Sequence, residues 1–346
     1  MPSPSRPLSI LHVNLSRGFG GAEQYCLDLA ARQLRHGHKV GLVMLRAARD
    51  TIGSRAPAGL ALHEAAWIFP SRAVARAVAA QKADVINVHL PDAGRAVTAL
   101  RHRPPVVLTL HIRYRQREMR GIDGLVCIAN WQEQEAKGFA GPRITAHNWP
   151  PAELPFEPAR IAAHRREIGA DETTFVVGAI ARLNRIKRLD LLIDAWKEVR
   201  PANARLALIG SGPEHKPLMA RAAGDDTIRF LGHRADIQNW HRALDLYVLP
   251  SDWEGLPLSV LEAMRAGTPI LATASAGTAE VLEGSGASLV PCGDQAVLAD
   301  ALARLGACFA QGALERRTYD ISRFDPELAV ARIDDFYRQL IARGLV

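Results

Sequence analysis

Twice along this chain of 346 residues, a short, mainly apolar run ends in a loop and gives way to an amphipathic helix. In the first half Leu8–Leu15 reads as a buried strand, Ser16–Gly21 as the loop, and about Ala22–His36 as a helix stopping at Gly37. Further strands are expected at Lys39–Leu45, Asp84–His89, Val106–His111 and Leu125–Ile128. The pattern restarts with strand Phe175–Ile180 and helix Leu189–Val199, then strand Arg205–Gly210 and helix His215–Ala222. Strand Ile228–Leu231, helix Ile237–Ala243, strand Leu246–Leu249, helix Leu258–Ala266 and strand Pro269–Ala272 complete it. Strands without polar alternation, separated by helices, imply parallel sheets covered on both faces. The expected fold class is α/β, two doubly wound domains facing across a cleft where ligands bind at strand carboxyl ends.

The stretch Asn148–Pro158 holds four prolines and reads as the linker, giving domains at residues 1–150 and 151–325. A last helix, Pro326–Arg343, is expected to place Leu328, Ile333, Phe336, Tyr337 and Leu340 on one face. At 48% apolar and 23% charged, the chain is neither disordered nor collagen-like. The four cysteines are scattered without CxxC or zinc spacing, which fits a reduced, cytoplasmic chain. No apolar run reaches the roughly 18 residues that span a bilayer, and the first residues lack a signal-peptide core. Residues 1–158 carry a net +8 and the remainder −1, which points the first half toward an anionic partner.

Chemistry-bearing residues gather in loops that follow strands. Gly20 and Gly21 stand directly before the first helix, where bare backbone and the helix dipole suit a phosphate, although paired glycines also make ordinary tight turns. Arg182, Arg185, Lys187 and Arg188 crowd a loop ahead of a helix, an arrangement that opposes the dipole unless an anion sits among them. Arg182 and Lys187 are spaced to converge on a diphosphate. Glu254 and Glu262 flank Gly-Leu-Pro-Leu-Ser-Val-Leu, with Glu254 in a loop and Glu262 in the following helix, and carboxylates suit sugar and ribose hydroxyls. His111 closes a strand at the cleft; His12 and His89, also near strand ends, rank below it. Asp-x-Asp, GxSxG and HExxH are all absent, which favours metal-free chemistry and no cofactor.

Together, GGAE at 20–23, ARLNRIKRLDLLIDAW at 181–196, LIGSGPE at 208–214, the run from Phe230 to Thr273 and GTAEVL at 277–282 resemble the retaining glycosyltransferases of family 4. The resemblance implies the glycosyltransferase B fold, with two Rossmann-like domains and a carboxyl-terminal helix, here 326–346, packing back on the first. It implies that Arg182 and Lys187 clamp the donor diphosphate, and that Glu262 binds the ribose. It further assigns Glu254 to hydroxyls of the transferred sugar, beside backbone amides near Pro257, Leu258 and Ser259. Gly20 and Gly21 would cover the phosphates, Arg234 would fall where backbone meets the base, and His111 would lie beside sugar and acceptor. The implied reaction moves a hexose from a nucleotide diphosphate sugar, UDP-sugar favoured, to an acceptor hydroxyl with retention and no metal.

The first domain, expected to bind the acceptor, carries the charge excess. The tract His111–Arg120, with Arg72, Arg76 and Lys82, offers a docking surface for anionic headgroups at the inner face of the membrane. A lipid-linked or lipopolysaccharide-type glycan is the expected acceptor. Nucleic acid is the rival partner for such a patch, but no nucleic-acid motif accompanies it. Two rival functions share the fold: a sugar-nucleotide 2-epimerase, and a catalytically silent scaffold that binds nucleotide sugars.

Overall fold

The computed structural model describes residues 6–98, 100, 102–152 and 154–344. They form two compact units, one of residues 1–148 with 324–346 and the other of residues 149–323.

The first unit runs β1 Ser9–Asn14, α1 Gly21–Arg35, β2 Lys39–Leu45, β3 Ala61–Ala65, α2 Pro70–Gln81, β4 Val85–His89 and α3 Pro91–Thr98. It continues with β5 Val106–Leu110, β6 Gly124–Cys127, α4 Asn130–Glu135 and β7 Arg143–Thr145. The second unit runs α5 Pro158–Glu167, β8 Phe175–Ile180, α6 Leu189–Val199, β9 Ala204–Ile209, α7 His215–Ala222 and β10 Ile228–Gly232. It ends with α8 Ile237–Ala243, β11 Leu246–Leu249, α9 Leu258–Arg265, β12 Ile270–Thr273, α10 Ala276–Leu282, β13 Ser288–Val290 and α11 Gln295–Ala310. The last helix, α12 Pro326–Ala342, belongs with the first unit.

Both sheets are parallel throughout, in the orders β3-β2-β1-β4-β5-β6-β7 and β10-β9-β8-β11-β12-β13. The order reverses between β1 and β4 in one and between β8 and β11 in the other. At such reversals adjacent loops leave in opposite directions and open a crevice beyond the strand ends. The central strands are apolar on both faces because helices cover both: Ile10, Leu11, Val13, Val176, Val177 and Leu246 are all buried.

The structure departs from the sequence expectation at the sheet edges and at Leu328. The strands β3, β7 and β13 carry no strong apolar run, and all three lie at sheet edges. Leu328 is 66% exposed, whereas Val330, Ile333, Phe336, Tyr337 and Leu340 are buried. Five residues before Ile333 is 140° around a helix, so Leu328 cannot share that face. Residues 345 and 346, which the expected helix included, lie outside the described residues, as do residues 1–5 and Glu153 in the linker.

Candidate functional site

In the second unit the loop after β8 is shaped by two glycines from the loop after β9. Gly210 and Gly212 have φ of +140° and +159°, and a Cβ would sit 1.9 Å from the Ala181 carbonyl and 2.2 Å from that of Leu183. Bare backbone lets the loops lock, with Leu183 N–H donating to Ser211 O at 2.9 Å and Glu214 N–H to Leu183 O at 3.0 Å.

The crowded cations of this loop are largely answered by acids. Arg185 meets Glu214 at 3.3 Å, and Arg188, left-handed at φ +47°, meets Asp190 at 3.3 Å and Asp252 at 3.1 Å. Lys187 Nζ lies 2.5 Å from Glu254 Oε1, so two of the residues singled out from sequence are in direct contact. Arg182 is exposed and has no ion-pair partner among the described residues.

Glu254 is 7% exposed, in the loop between β11 and α9. That loop is pressed against the first turn of α10: a Cβ on Gly277 would meet the carbonyls of Gly255 at 2.1 Å and Glu254 at 2.6 Å. Pro257 caps α9 and supplies φ −73°, so Leu258 and Ser259 open the helix with backbone N–H groups that lack intrahelical acceptors. The fully buried Tyr247, on β11, donates to Ser259 Oγ at 2.7 Å; burial raises its pKa, so it remains a phenol.

Glu262 lies one turn along α9, and burial pushes its carboxyl up to about 7, with Arg265 pulling weakly the other way. Its side chain is nevertheless 23% exposed and can meet a ligand. His241 of α8 lies 4.0 Å from it, fully buried and held neutral by desolvation, its pKa lowered to about 3. The Arg234 guanidinium pairs with Glu167 of α5 and lies 6.0 Å from the Trp240 ring, so the side chain is committed and the backbone remains for contact.

In the first unit Gly20 is the extended residue capping α1, Gly21 is exposed, and Glu23 lies buried in the first turn. His111 follows β5 directly. Its Nε2 lies 3.0 Å from His89 Nδ1, and His89 Nε2 lies 3.0 Å from His12 Nδ1, so the two histidines ranked below His111 are the ones that hold it. Tyr247, His241, His12 and His89 had no motif to reveal them; for His12 and His89 the position near a strand end was the one available signal.

Among the described residues two clusters bring ligating atoms together, His12 with Cys26 and His89, and His36 with His38 and Asp334. In the second, Leu8 N–H donates to His38 Nδ1 at 3.1 Å, which forces the ring proton onto the Nε2 that faces Asp334. That nitrogen then has no lone pair for a metal.

Two doubly wound units with candidate residues at their strand ends are the glycosyltransferase B fold. The solved complex of Anabaena Alr3699/HepE with UDP and glucose matches at TM-score 0.80 and 21% identity, covering 96% of this chain and 100% of that one. WaaG, described as a glycosyltransferase involved in lipopolysaccharide biosynthesis, matches at TM-score 0.71 and 15% identity, covering 96% and 99%. The family description Glycosyltransferase Family 4 matches residues 19–166, and Glycosyl transferases group 1 matches residues 174–307. The chain belongs to these group 1, family 4 glycosyltransferases.

Among curated relatives, a lipopolysaccharide core biosynthesis mannosyltransferase, LpsB of Rhizobium meliloti, is 32% identical over 168 residues, 43% of this chain and 48% of that protein. A D-inositol 3-phosphate glycosyltransferase of Kribbella flavida is 35% identical over 167 residues, 43% of this chain and 39% of that protein. These matches span less than half the length of either relative. No helix among the described residues is long and apolar enough to cross a membrane.

Proposed function

We propose that the chain transfers a hexose, with retention, from a nucleotide diphosphate sugar to a hydroxyl of a lipid-linked or lipopolysaccharide-type glycan. The observation that carries this reading is the Lys187–Glu254 contact. One cation and one carboxylate meet at the strand ends of one unit. Arg182 and Lys187 clamp the diphosphate and stabilise the charge that develops on the leaving group, so electrostatics supplies the main acceleration and no metal is called for. Glu254, released from Lys187 by the incoming phosphates, accepts from sugar hydroxyls, helped by the free amides of Leu258 and Ser259. Glu262 takes the ribose hydroxyls and backbone near Arg234 takes the base. Gly20 and Gly21 bring bare backbone to the phosphates. The acceptor hydroxyl attacks the face the leaving group vacates and gives its proton to the departing phosphate. The second unit binds the donor; the first, with α12, binds the acceptor.

The names of relatives support the class of donor and acceptor. HepE is described in complex with UDP and with UDP-glucose, and LpsB is named for lipopolysaccharide core synthesis. UDP is the favoured nucleotide.

The first unit also carries a feature suited to a membrane on the cytoplasmic side. Trp67, Ile68 and Phe69, between β3 and α2, are 59, 70 and 67% exposed. Arg17 lies over the Trp67 ring at 4.4 Å and Arg72 near that of Phe69 at 5.4 Å. Exposed aromatics ringed by arginine match an interface between acyl chains and anionic headgroups.

Thermal unfolding with UDP-, GDP-, ADP- and dTDP-sugars, with and without Mg²⁺, tests the donor site. A ligand at about 100 times its Kd adds roughly 2.7 kcal/mol. A metal-independent shift with one nucleotide is expected, and NMR of the product should show the anomeric configuration of the donor kept. No shift with any of them would overturn the transferase reading, and a shift without product formation would favour the silent scaffold.

A further inference from the structure

An unbroken row of hydrogen-bonded side chains crosses the first unit. His111 Nε2 meets His89 Nδ1 at 3.0 Å, and His89 Nε2 meets His12 Nδ1 at 3.0 Å. His12 Nε2 meets Gln33 Oε1 at 2.8 Å, and Gln33 Nε2 meets Asp334 Oδ1 at 2.9 Å. The row starts after β5, crosses β4 and β1, passes through α1 and ends on α12.

Its direction is set at the far end. Asp334 Oδ2 faces His38 Nε2 and His36 Nδ1, both at 3.1 Å. His38 must donate there, because Leu8 N–H already occupies its Nδ1. Asp334, an acceptor at both oxygens, then requires Gln33 to present its NH₂, which turns the amide oxygen toward His12. His12 must therefore carry its proton on Nε2 and accept at Nδ1. The same step repeats at His89 and again at His111. Tyr337, beside Gln33 and accepting from Asn87 Nδ2 at 2.6 Å, has a hydroxyl that can take either role and does not set the direction.

We propose that Asp334, acting through Gln33, His12 and His89, locks His111 in the Nε2–H tautomer and so leaves its Nδ1 as a standing hydrogen-bond acceptor for a substrate hydroxyl. Nδ1 makes no hydrogen bond among the described residues. Burial keeps the rings neutral, lowering His12 to about 4, His89 well below its ordinary value and His111 to about 3. A nitrogen that weakly basic orients a hydroxyl without removing its proton, which agrees with proton transfer to the departing phosphate. Asp334 and Gln33 are thus positioning residues. The use made of Nδ1 rests on the placement of His111 beside the substrate; the tautomer itself does not.

Long-range ¹H–¹⁵N correlation on the full chain, labelled at histidine and held at neutral pH, reads the protonated nitrogen of each ring. The expected result is protonation at Nε2 in His12, His89 and His111. Asp334→Asn should reverse the row. Its oxygen stays with His36 and His38, its amide turns to Gln33, Gln33 flips, and each ring moves its proton to Nδ1. His111 then offers a donor where it offered an acceptor, and kcat/KM should fall about tenfold, the loss of one hydrogen bond. If that variant does not fold, Gln33→Met cuts the row and should leave His111 sampling both tautomers. Nδ1–H on His111 in the wild type, or Nε2–H retained in folded Asp334→Asn, overturns the proposal. A tautomer swap with kcat/KM unchanged overturns the use given to Nδ1, while leaving nucleotide-sugar binding by the second unit intact.

Discussion

Lys187 and Glu254 stand 2.5 Å apart on loops 67 residues distant in sequence, and each is mostly buried. Two groups that the proposed function assigns to different parts of one ligand are therefore in direct contact with each other. The contact gives a buried carboxylate a cationic partner and gives the lysine an acidic one amid its cationic neighbours.

Removing one partner should accordingly cost more than removing both. Lys187→Ala leaves Glu254 buried without its cation and should lower stability by roughly 3 kcal/mol. Lys187→Ala with Glu254→Gln should recover most of that. Urea unfolding of the two singles and the double closes the cycle, and strictly additive values would mean that the pair does not couple.

Glu262 makes both binding and stability depend on pH. Its folded pKa of about 7 lies above the ordinary value of 4.5, so between these the folded state holds a proton that the unfolded state has lost. Stability from this group therefore falls as pH rises from 4.5 through 7. Ribose hydroxyls favour the ionised form, so UDP should bind more tightly at pH 8 than at pH 6. Calorimetric titration at both values checks this; in Glu262→Gln the difference should disappear.

Gly277 has no room for a methyl group. Gly277→Ala forces the Glu254 and Gly255 carbonyls away and should cost about 1–3 kcal/mol, with weaker nucleotide binding as the loop shifts. Thermal unfolding with and without UDP separates the two effects. Wild-type behaviour in both would show that the loop yields freely.

The aromatic patch should matter for vesicles and for little else. Trp67→Glu with Phe69→Glu is expected to abolish sedimentation with phosphatidylglycerol vesicles while leaving unfolding temperature and UDP binding unchanged. Equal sedimentation of wild type and variant would remove the membrane from the reading.

The central strands were legible because burial on both faces writes a continuous apolar run. The edge strand β3, Ala61–Ala65, has one buried residue and so leaves no such trace. At the site, residue types and their order along the chain pointed to Arg182, Lys187, Glu254 and Glu262. That Lys187 rests on Glu254 depends on two distant loops meeting, which no local pattern encodes. The histidine row was less visible still. Each ring taken singly is an ordinary core histidine, and its meaning lies in a direction imposed by Asp334, more than 220 positions along the chain from His111.

The placement of α12 in the first unit has a consequence for biosynthesis. A chain emerging from the ribosome completes residues 149–323 before the segment that supplies Asp334 and Tyr337 exists. The second unit can reach its native state on the nascent chain, whereas the first must wait with Gln33 and Asn87 lacking their α12 partners until that helix is released. The unit made first is finished last, and a protein truncated before residue 326 should keep a folded carboxyl-terminal half attached to an aggregation-prone amino-terminal one.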